Sequence, residues 1–269
     1  MNVVGSTHGS LGIRDGIVKR LAQRLNGNTC PRSAGIPRDA DVIIGWRMRN
    51  LPGADKFIKR GGVIVYLDLG YFDETHYETF SISLNGVHGQ SFKVRGLENM
   101  PERPKPELQP WKKGGSIVQV MAPGHPTDIC KAQQVGGRAP QEWARNVAQE
   151  AEILGKKVQI RYHPRKLPPF IESVPPFEET FEEMYLAVTY SSTAATNTVV
   201  AGIPTVAYHK RSPAWDVCAQ GTLERVTPDR AEWIHMLSYR QYDMLNPAEL
   251  AVAADYITEG VAQIRGGRK

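Results

Sequence analysis

Two stretches, Asp41-Val42-Ile43-Ile44-Gly45 and Val63-Ile64-Val65-Tyr66-Leu67, are apolar without alternation, the pattern of parallel strands buried on both faces. A helical spacing precedes them. Ile13, Ile17, Val18, Leu21 and Leu25 fall on one helix face, Lys19, Arg20 and Arg24 fall on the other, and Gly27 stops the helix. Thr79-Phe80-Ser81-Ile82-Ser83-Leu84 alternates apolar and polar positions, which predicts a strand with one less buried face, at a sheet edge. After Gly115 the rhythm restarts. Residues 116–121 and 158–162 read as strands, and residues 140–154 as a helix that shows Trp143, Val147, Ala151 and Leu154 on one face and stops at Gly155. Residues 186–190, a short helix over 193–201, residues 205–208 and a helical tail over 247–264 continue the series. Pro101, Pro104, Pro106 and Pro110, with Lys112-Lys113-Gly114-Gly115 behind them, separate the two series as a linker. The expectation is α/β, with two Rossmann-like domains over residues 1–112 and 113–269 that face each other.

Composition supports two such domains and excludes other classes. The chain has 269 residues, 41% hydrophobic and 8% aromatic, enough for ordinary cores without disulfide staples. Charged residues are 23% and the net charge is +5, too balanced for charge-driven disorder. Residues 1–112 hold 16 basic and 11 acidic side chains, and residues 113–269 hold 17 of each, so the surplus sits in the first half and points to an anionic partner there. Cys30, Cys130 and Cys218 are odd in number and form no CxxC pair, which fits a reducing cytoplasm. The N-terminus lacks a signal-peptide pattern, and no apolar run nears the roughly 18 residues of a membrane span. A cytoplasmic protein with no membrane partner is expected.

In parallel α/β sheets ligands bind beyond the carboxyl ends of the strands. In the first half those positions read Gly5-Ser6-Thr7-His8-Gly9, Gly45-Trp46-Arg47-Met48-Arg49-Asn50, Asp68-Leu69-Gly70-Tyr71 and Asn85-Gly86-Val87-His88-Gly89. The loop Gly5-x3-Gly9-x2-Gly12 matches neither a P-loop nor GxGxxG and serves equally as a flexible turn. Asp68 ends an apolar strand, where a partly desolvated carboxylate can take a proton from a hydroxyl; its bland alternative is a turn cap. His88 and His8 are competing bases. Asp39-Ala40-Asp41 has the spacing of a metal-holding carboxylate pair, but it precedes its strand and so lies at the wrong sheet edge, and no HExxH is present; no metal is expected. In the second half, Thr189-Tyr190-Ser191-Ser192-Thr193-Ala194-Ala195-Thr196-Asn197 sets hydroxyls at a strand-to-helix junction, either as a phosphate site or as an N-cap. Arg161-Tyr162-His163-Pro164-Arg165 closes the preceding strand with two cations and an imidazole.

The hydroxyl turn, with Gly202-Ile203-Pro204 before the next strand and His163-Pro164 after the preceding one, resembles the donor half of two-domain GT-B glycosyltransferases, mainly over residues 158–208. His163-Pro164 looks like the His-Pro of capsule and sialyl-type members. The resemblance implies two domains facing across a cleft and a nucleotide-sugar co-substrate, a UDP-sugar by expectation, with no required cofactor. It places Ser191, Ser192, Thr193 and Asn197 at the donor, with His163 and Arg165 neutralising its diphosphate. Asp68 would deprotonate the acceptor, with His88 as substitute. The chain departs from the pattern at the helix: Ala194, Ala195 and Asn197 stand where a ribose-binding Glu belongs. The segment from Tyr66-Leu67-Asp68-Leu69-Gly70-Tyr71 through Asn85-Gly86-Val87-His88-Gly89 resembles proteins of phage origin. With its basic first half the chain looks like a functional analogue of small glycosyltransferases of tailed bacteriophages that modify hydroxymethylpyrimidines in double-stranded DNA; a phage-encoded chain would work in the host cytoplasm. That resemblance makes His8, Trp46, Arg47, Arg49, Tyr71 and Asn85 acceptor or DNA contacts, with Lys19, Arg20 and Arg24 on phosphates and Trp46 or Tyr71 stacked on a base. Competing readings are a transferase for a surface glycan or small molecule, a nucleotide-sugar epimerase, and a non-enzymatic nucleic-acid-binding module.

Overall fold

The structure, a computed structural model, describes residues 1–9, 12–48, 51–72, 79–123, 139–162, 173, 175–243 and 245–267. The chain forms two compact units, residues 1–105 with 235–269 and residues 106–234.

The first unit is a six-stranded sheet. Its strands are β1 (Val3–Thr7), β2 (Asn28–Pro31), β3 (Val42–Trp46), β4 (Val63–Leu69), β5 (Thr79–Leu84) and β11 (Gln241–Asp243). The order is β2-β1-β3-β4 in parallel, then β5 and β11 added antiparallel. Helix α1 (Ile13–Arg24) covers one face with Ile17, Val18, Leu21 and Ala22 buried, while Lys19, Arg20 and Arg24 point to solvent as their spacing requires. Ile13 departs from the expected face and is exposed at the first turn. Helix α2 (Ala54–Lys59) packs on the other face through Phe57, against Val4, Ile43 and Ile64. Gly5 lies inside β1 rather than in a loop. A Cβ there would meet Val18, Ala22 and Thr29 at 3.0–3.1 Å, so its absence lets α1 settle on the strand.

β5 is not an edge strand, because β11 pairs outside it. Its polar positions are buried because they are satisfied: Ser81 Oγ donates to the Leu69 carbonyl at 2.9 Å, and Ser83 Oγ accepts from the His88 N–H at 3.1 Å.

The second unit is a five-stranded, fully parallel sheet, with β6 (Ile117–Met121), β7 (Lys157–Arg161), β8 (Met184–Thr189), β9 (Thr205–Ala207) and β10 (Ala219–Gln220) ordered β10-β9-β8-β6-β7. In each unit the first strand sits between the second and third, which creates a topological switch point, between β1 and β3 in one and between β6 and β8 in the other. Helices α3 (Ala139–Ala151) and α4 (Ala194–Val200) belong to this unit. Trp143, Val147 and Ala151 of α3 enter its core, and Gly155 in left-handed backbone closes the short turn behind it.

The division of the chain differs from a simple cut at residue 112. Helix α5 (Ala231–Ser238) carries the chain back into the first unit, and α6 (Pro247–Gly266) buries Leu250, Tyr256, Ile257, Val261 and Ile264 in its core. Arg103, 7% exposed, pairs with Glu249 of α6 and donates to the Gln241 carbonyl. The linker proper belongs to the second unit. Gln109 N–H donates to the Val200 carbonyl at 2.9 Å, Lys112 N–H to the Gly202 carbonyl at 2.7 Å, and Arg230 lies 3.8 Å above the Trp111 ring while donating to the Gln109 carbonyl. Gly202, with φ +73°, has its Cα where a Cβ would run into the Pro110 carbonyl oxygen. Recounted on these units, the first holds 19 basic and 14 acidic side chains and the second 14 of each, so the surplus stays in the first.

Candidate functional site

The carboxyl end of β4 carries a buried polar cluster. Asp68 is 7% exposed. Its Oδ1 accepts from Arg47 Nε at 3.0 Å and from the Leu69 N–H at 2.9 Å, and its Oδ2 lies 3.7 Å from His88 Nε2. Register explains the first contact. Trp46 pairs with Leu67 across β3 and β4, so the next residue, Arg47, reaches Asp68 while its N–H donates to the Leu67 carbonyl at 2.8 Å.

His88 is 3% exposed and begins the 3-10 turn His88–Gln90. Its Nδ1 lies 3.4 Å from the hydroxyl of Tyr71, itself fully buried. Arg240, just before β11, closes the cluster: its Nη2 lies 2.9 Å from the Tyr71 hydroxyl, 2.7 Å from Ser83 Oγ and 2.8 Å from the His88 carbonyl, and its Nε donates to the Ile82 carbonyl at 3.1 Å. Arg47 and His88 both adopt left-handed backbone, φ +48° and +49°, a conformation that costs non-glycine residues about 1–3 kcal/mol. The surrounding hydrogen bonds hold both there.

The structure thus brings Asp68, His88, Arg47 and Tyr71 together and adds Ser83 and Arg240. Tyr71 does not offer a stacking face; it is an interior member of the cluster. Trp46, 3% exposed in the core beneath Arg14, presents no face to a base either. Asn85 is taken up by the backbone: its Oδ1 accepts from the Ile64 N–H at 2.8 Å and its own N–H donates to the Ile64 carbonyl at 2.9 Å, which fixes the chain after β5. Arg49 lies outside the described residues.

At the switch point of the first unit, the N–H groups of His8 and Gly9 donate to the two Asp15 carboxylate oxygens at 2.9 and 2.7 Å. A carboxylate of the chain itself therefore sits where the turn would meet an anion; the His8 side chain is exposed. Asp41, of the spaced carboxylate pair, accepts from the Asn2 N–H and from Arg265, both at 2.6 Å, at the amino end of the sheet. The basic residues of α1 and α2 lie on opposite faces of the sheet, because the two helices do. They form no single phosphate-binding stripe.

In the second unit the hydroxyl turn lies at the carboxyl end of β8, beside the switch point. Ser191, Ser192, Thr193 and Asn197 are half-buried. Thr189 Oγ1 accepts from the Ser192 N–H at 3.1 Å and Ser192 Oγ from the Ala194 N–H at 3.2 Å, so two of the turn's N–H groups are satisfied within it. Neighbouring aromatic rings, Trp143 with Tyr190 and Tyr208 and Tyr190 stacked on His209, wall this edge. Burial and the nearby Glu150 push the Tyr208 phenol up to about 12. His163 and Arg165 lie outside the described residues.

Two solved structures share the fold of this chain. The fold is of GT-B type. Thermosulfurimonas dismutans KpsC, beta Kdo 2,4 transferase, is similar with a TM-score of 0.56 and 11% identity, over 97% of this chain and 98% of that one. Thermosulfurimonas dismutans KpsC, beta Kdo 2,7 transferase, is similar with a TM-score of 0.56 and 10% identity, over 96% and 98%. No protein-family model and no curated protein matches the sequence. Among the described residues no helix of this GT-B chain is long and apolar enough to cross a membrane.

Sequence reading missed Arg240 and Ser83 in this GT-B chain. Nothing local ties Arg240 to Tyr71, 169 residues away. Asp15, an acidic residue in the first turn of α1, was missed as well; it takes up the N–H groups of His8 and Gly9.

Proposed function

We propose that this protein is a glycosyltransferase in which Asp68 takes the proton of an acceptor hydroxyl. The observation that carries the reading is the buried Asp68, held by Arg47, the Leu69 N–H and His88 at the carboxyl end of a strand in a GT-B fold. The acceptor oxygen forms a bond to the anomeric carbon, and its proton passes to the carboxylate. The bond from that carbon to the donor phosphate breaks, and the nucleotide leaves with the electron pair. Ser191, Ser192, Thr193 and Asn197 would bind the leaving diphosphate with the α4 N–H groups, and His163 and Arg165 would neutralise its charge without a metal.

A glycan or small-molecule hydroxyl is the acceptor the geometry fits best. Both similar structures are named as Kdo transferases, and the buried Trp46 and Tyr71 remove the stacking surfaces that a flipped base needs. Arg47 suits an acceptor with an anionic substituent: its side chain is about half exposed, and its Nη atoms have no hydrogen-bond partner among the described residues. Hydroxymethylated DNA is the second reading, favoured by the confinement of surplus positive charge to the unit that holds Asp68.

The test incubates the protein with UDP-, GDP-, CMP- and ADP-sugars and either hydroxymethylated DNA or anionic and neutral glycans, and reads added sugar mass. Addition to glycan alone supports the first reading, and addition to nucleosides the second. Donor consumed equally with and without acceptor would reject transfer in favour of epimerisation or hydrolysis.

A further inference from the structure

We infer that Tyr71 and Arg240 fix His88 in one tautomer, with the proton on Nε2, so that the ring donates toward Asp68 and does not compete with it as a base. The catalytic consequence rests on the proposed role of Asp68; the geometry does not.

A guanidinium only donates, so the contact of 2.9 Å between Arg240 Nη2 and the Tyr71 hydroxyl makes that oxygen an acceptor. The phenol proton then needs an acceptor of its own, because Tyr71 is fully buried. Among the described residues the other group within reach of this hydroxyl is His88 Nδ1, at 3.4 Å. Nδ1 accepts, and in a neutral imidazole the proton is therefore on Nε2. The far side of the ring requires the same answer independently. Nε2 lies 3.7 Å from Asp68 Oδ2, where an N–H is attracted to the carboxylate and a bare lone pair would be repelled.

The backbone is set to the same end. Arg240 Nη2 also reaches the His88 carbonyl at 2.8 Å, and Ser83 Oγ accepts the His88 N–H at 3.1 Å, so both polar groups of a left-handed residue are held. Arg240 binds Ser83 Oγ as well, at 2.7 Å. One guanidinium thus orients the hydroxyl that sets the tautomer and the main chain that carries the ring. Tyr71 and Arg240 are positioning residues that act through His88.

The experiment is long-range proton–nitrogen NMR of the histidine rings in the full chain, at a pH where imidazole is neutral, with His88 assigned by the loss of its signals in His88→Gln. The wild-type spectrum should show a pyrrole-type Nε2 and a pyridine-type Nδ1. Tyr71→Phe should give a mixture of tautomers, and Arg240→Lys, which keeps the charge, should shift the pair partway. A protonated Nδ1 or an averaged pair in the wild type overturns the inference whatever the variants do, as does an unchanged ring in Tyr71→Phe. The readout needs no substrate. A locked tautomer with no sugar transfer to any acceptor leaves this inference standing and rejects the proposed function; transfer with an unlocked ring does the reverse.

Discussion

The two units share a strand order and differ in what they place at the carboxyl edge. In the second unit the edge at β8 is made of half-buried hydroxyls and backbone N–H groups, several of them bonded within their own turn. In the first unit the edge at β4 is made of charged and polar side chains, Asp68, Tyr71, Ser83 and His88 buried and Arg47 and Arg240 partly exposed, drawn from the ends of β3 and β4, from β5 and the turn after it, and from the chain just before β11. A short self-contained turn is suited to holding a polyanion, which requires donors but little positional accuracy from distant segments. A carboxylate that must sit in one orientation requires partners on several segments, and Asp68 has them. The architecture is common to both units, while the proposed base belongs to the one with the long-range polar network.

The comparison is broken most severely by removing the carboxylate. Asp68→Asn should lower transfer by roughly 10²- to 10⁴-fold, the usual contribution of a positioned base, while donor binding persists. Retained activity would move the chemistry elsewhere. Gly202→Ala should cost on the order of 3 kcal/mol, because φ +73° and the Pro110 carbonyl both oppose a Cβ; urea unfolding would detect it. An unaffected midpoint would mean that the linker is not seated on the second unit.

Alkali should act on both units alike. Burial pushes Tyr256 in the first unit and Tyr208 in the second up to about 12 each, above the value of about 10 expected for an unfolded chain. The folded state holds these protons more tightly, so stability is full below about pH 10 and falls as pH rises from about 10 toward 12. Urea midpoints across that window should decline, and less steeply in Tyr256→Phe; a flat profile would contradict the burial. The smallest effect is expected for Ser192→Ala, which loses the hydrogen bond from the Ala194 N–H, worth about 1 kcal/mol, and, if the turn also binds donor, raises the donor KM several-fold with kcat unchanged. A loss of stability without a change in KM would leave Ser192 a support of its own turn and nothing more.

The fold was largely legible because its signals are local. Uninterrupted runs at Val42–Ile44 and Val63–Leu67 marked interior parallel strands, and apolar spacing marked α1, α3 and α6. The short elements were not legible. β2, β10 and β11 have two to four residues each, too few to show a period, and β11 turns a supposed edge into an interior position. The return of the tail to the first unit depends on Arg103 meeting Glu249, 146 residues apart, which no window can show. At the site, Asp68 was readable as a polar residue ending an apolar strand, and His88 as an imidazole in a neighbouring turn. Trp46 and Tyr71 were read as surface rings because they follow strand ends, but Trp46 faces the core and Tyr71 turns inward to Arg240. Position along a strand fixes which edge a residue reaches, while its burial is decided by what packs there.

The most direct measurement pairs two readouts on Asp68→Asn: the shift in melting temperature caused by saturating nucleotide-sugar, and sugar transfer to the acceptor. The account predicts a donor-induced shift equal to that of the wild type, with transfer reduced at least about 100-fold. A variant that still transfers sugar at the wild-type rate, or one that no longer responds to the donor, would contradict the assignment of reaction to the first unit and donor binding to the second.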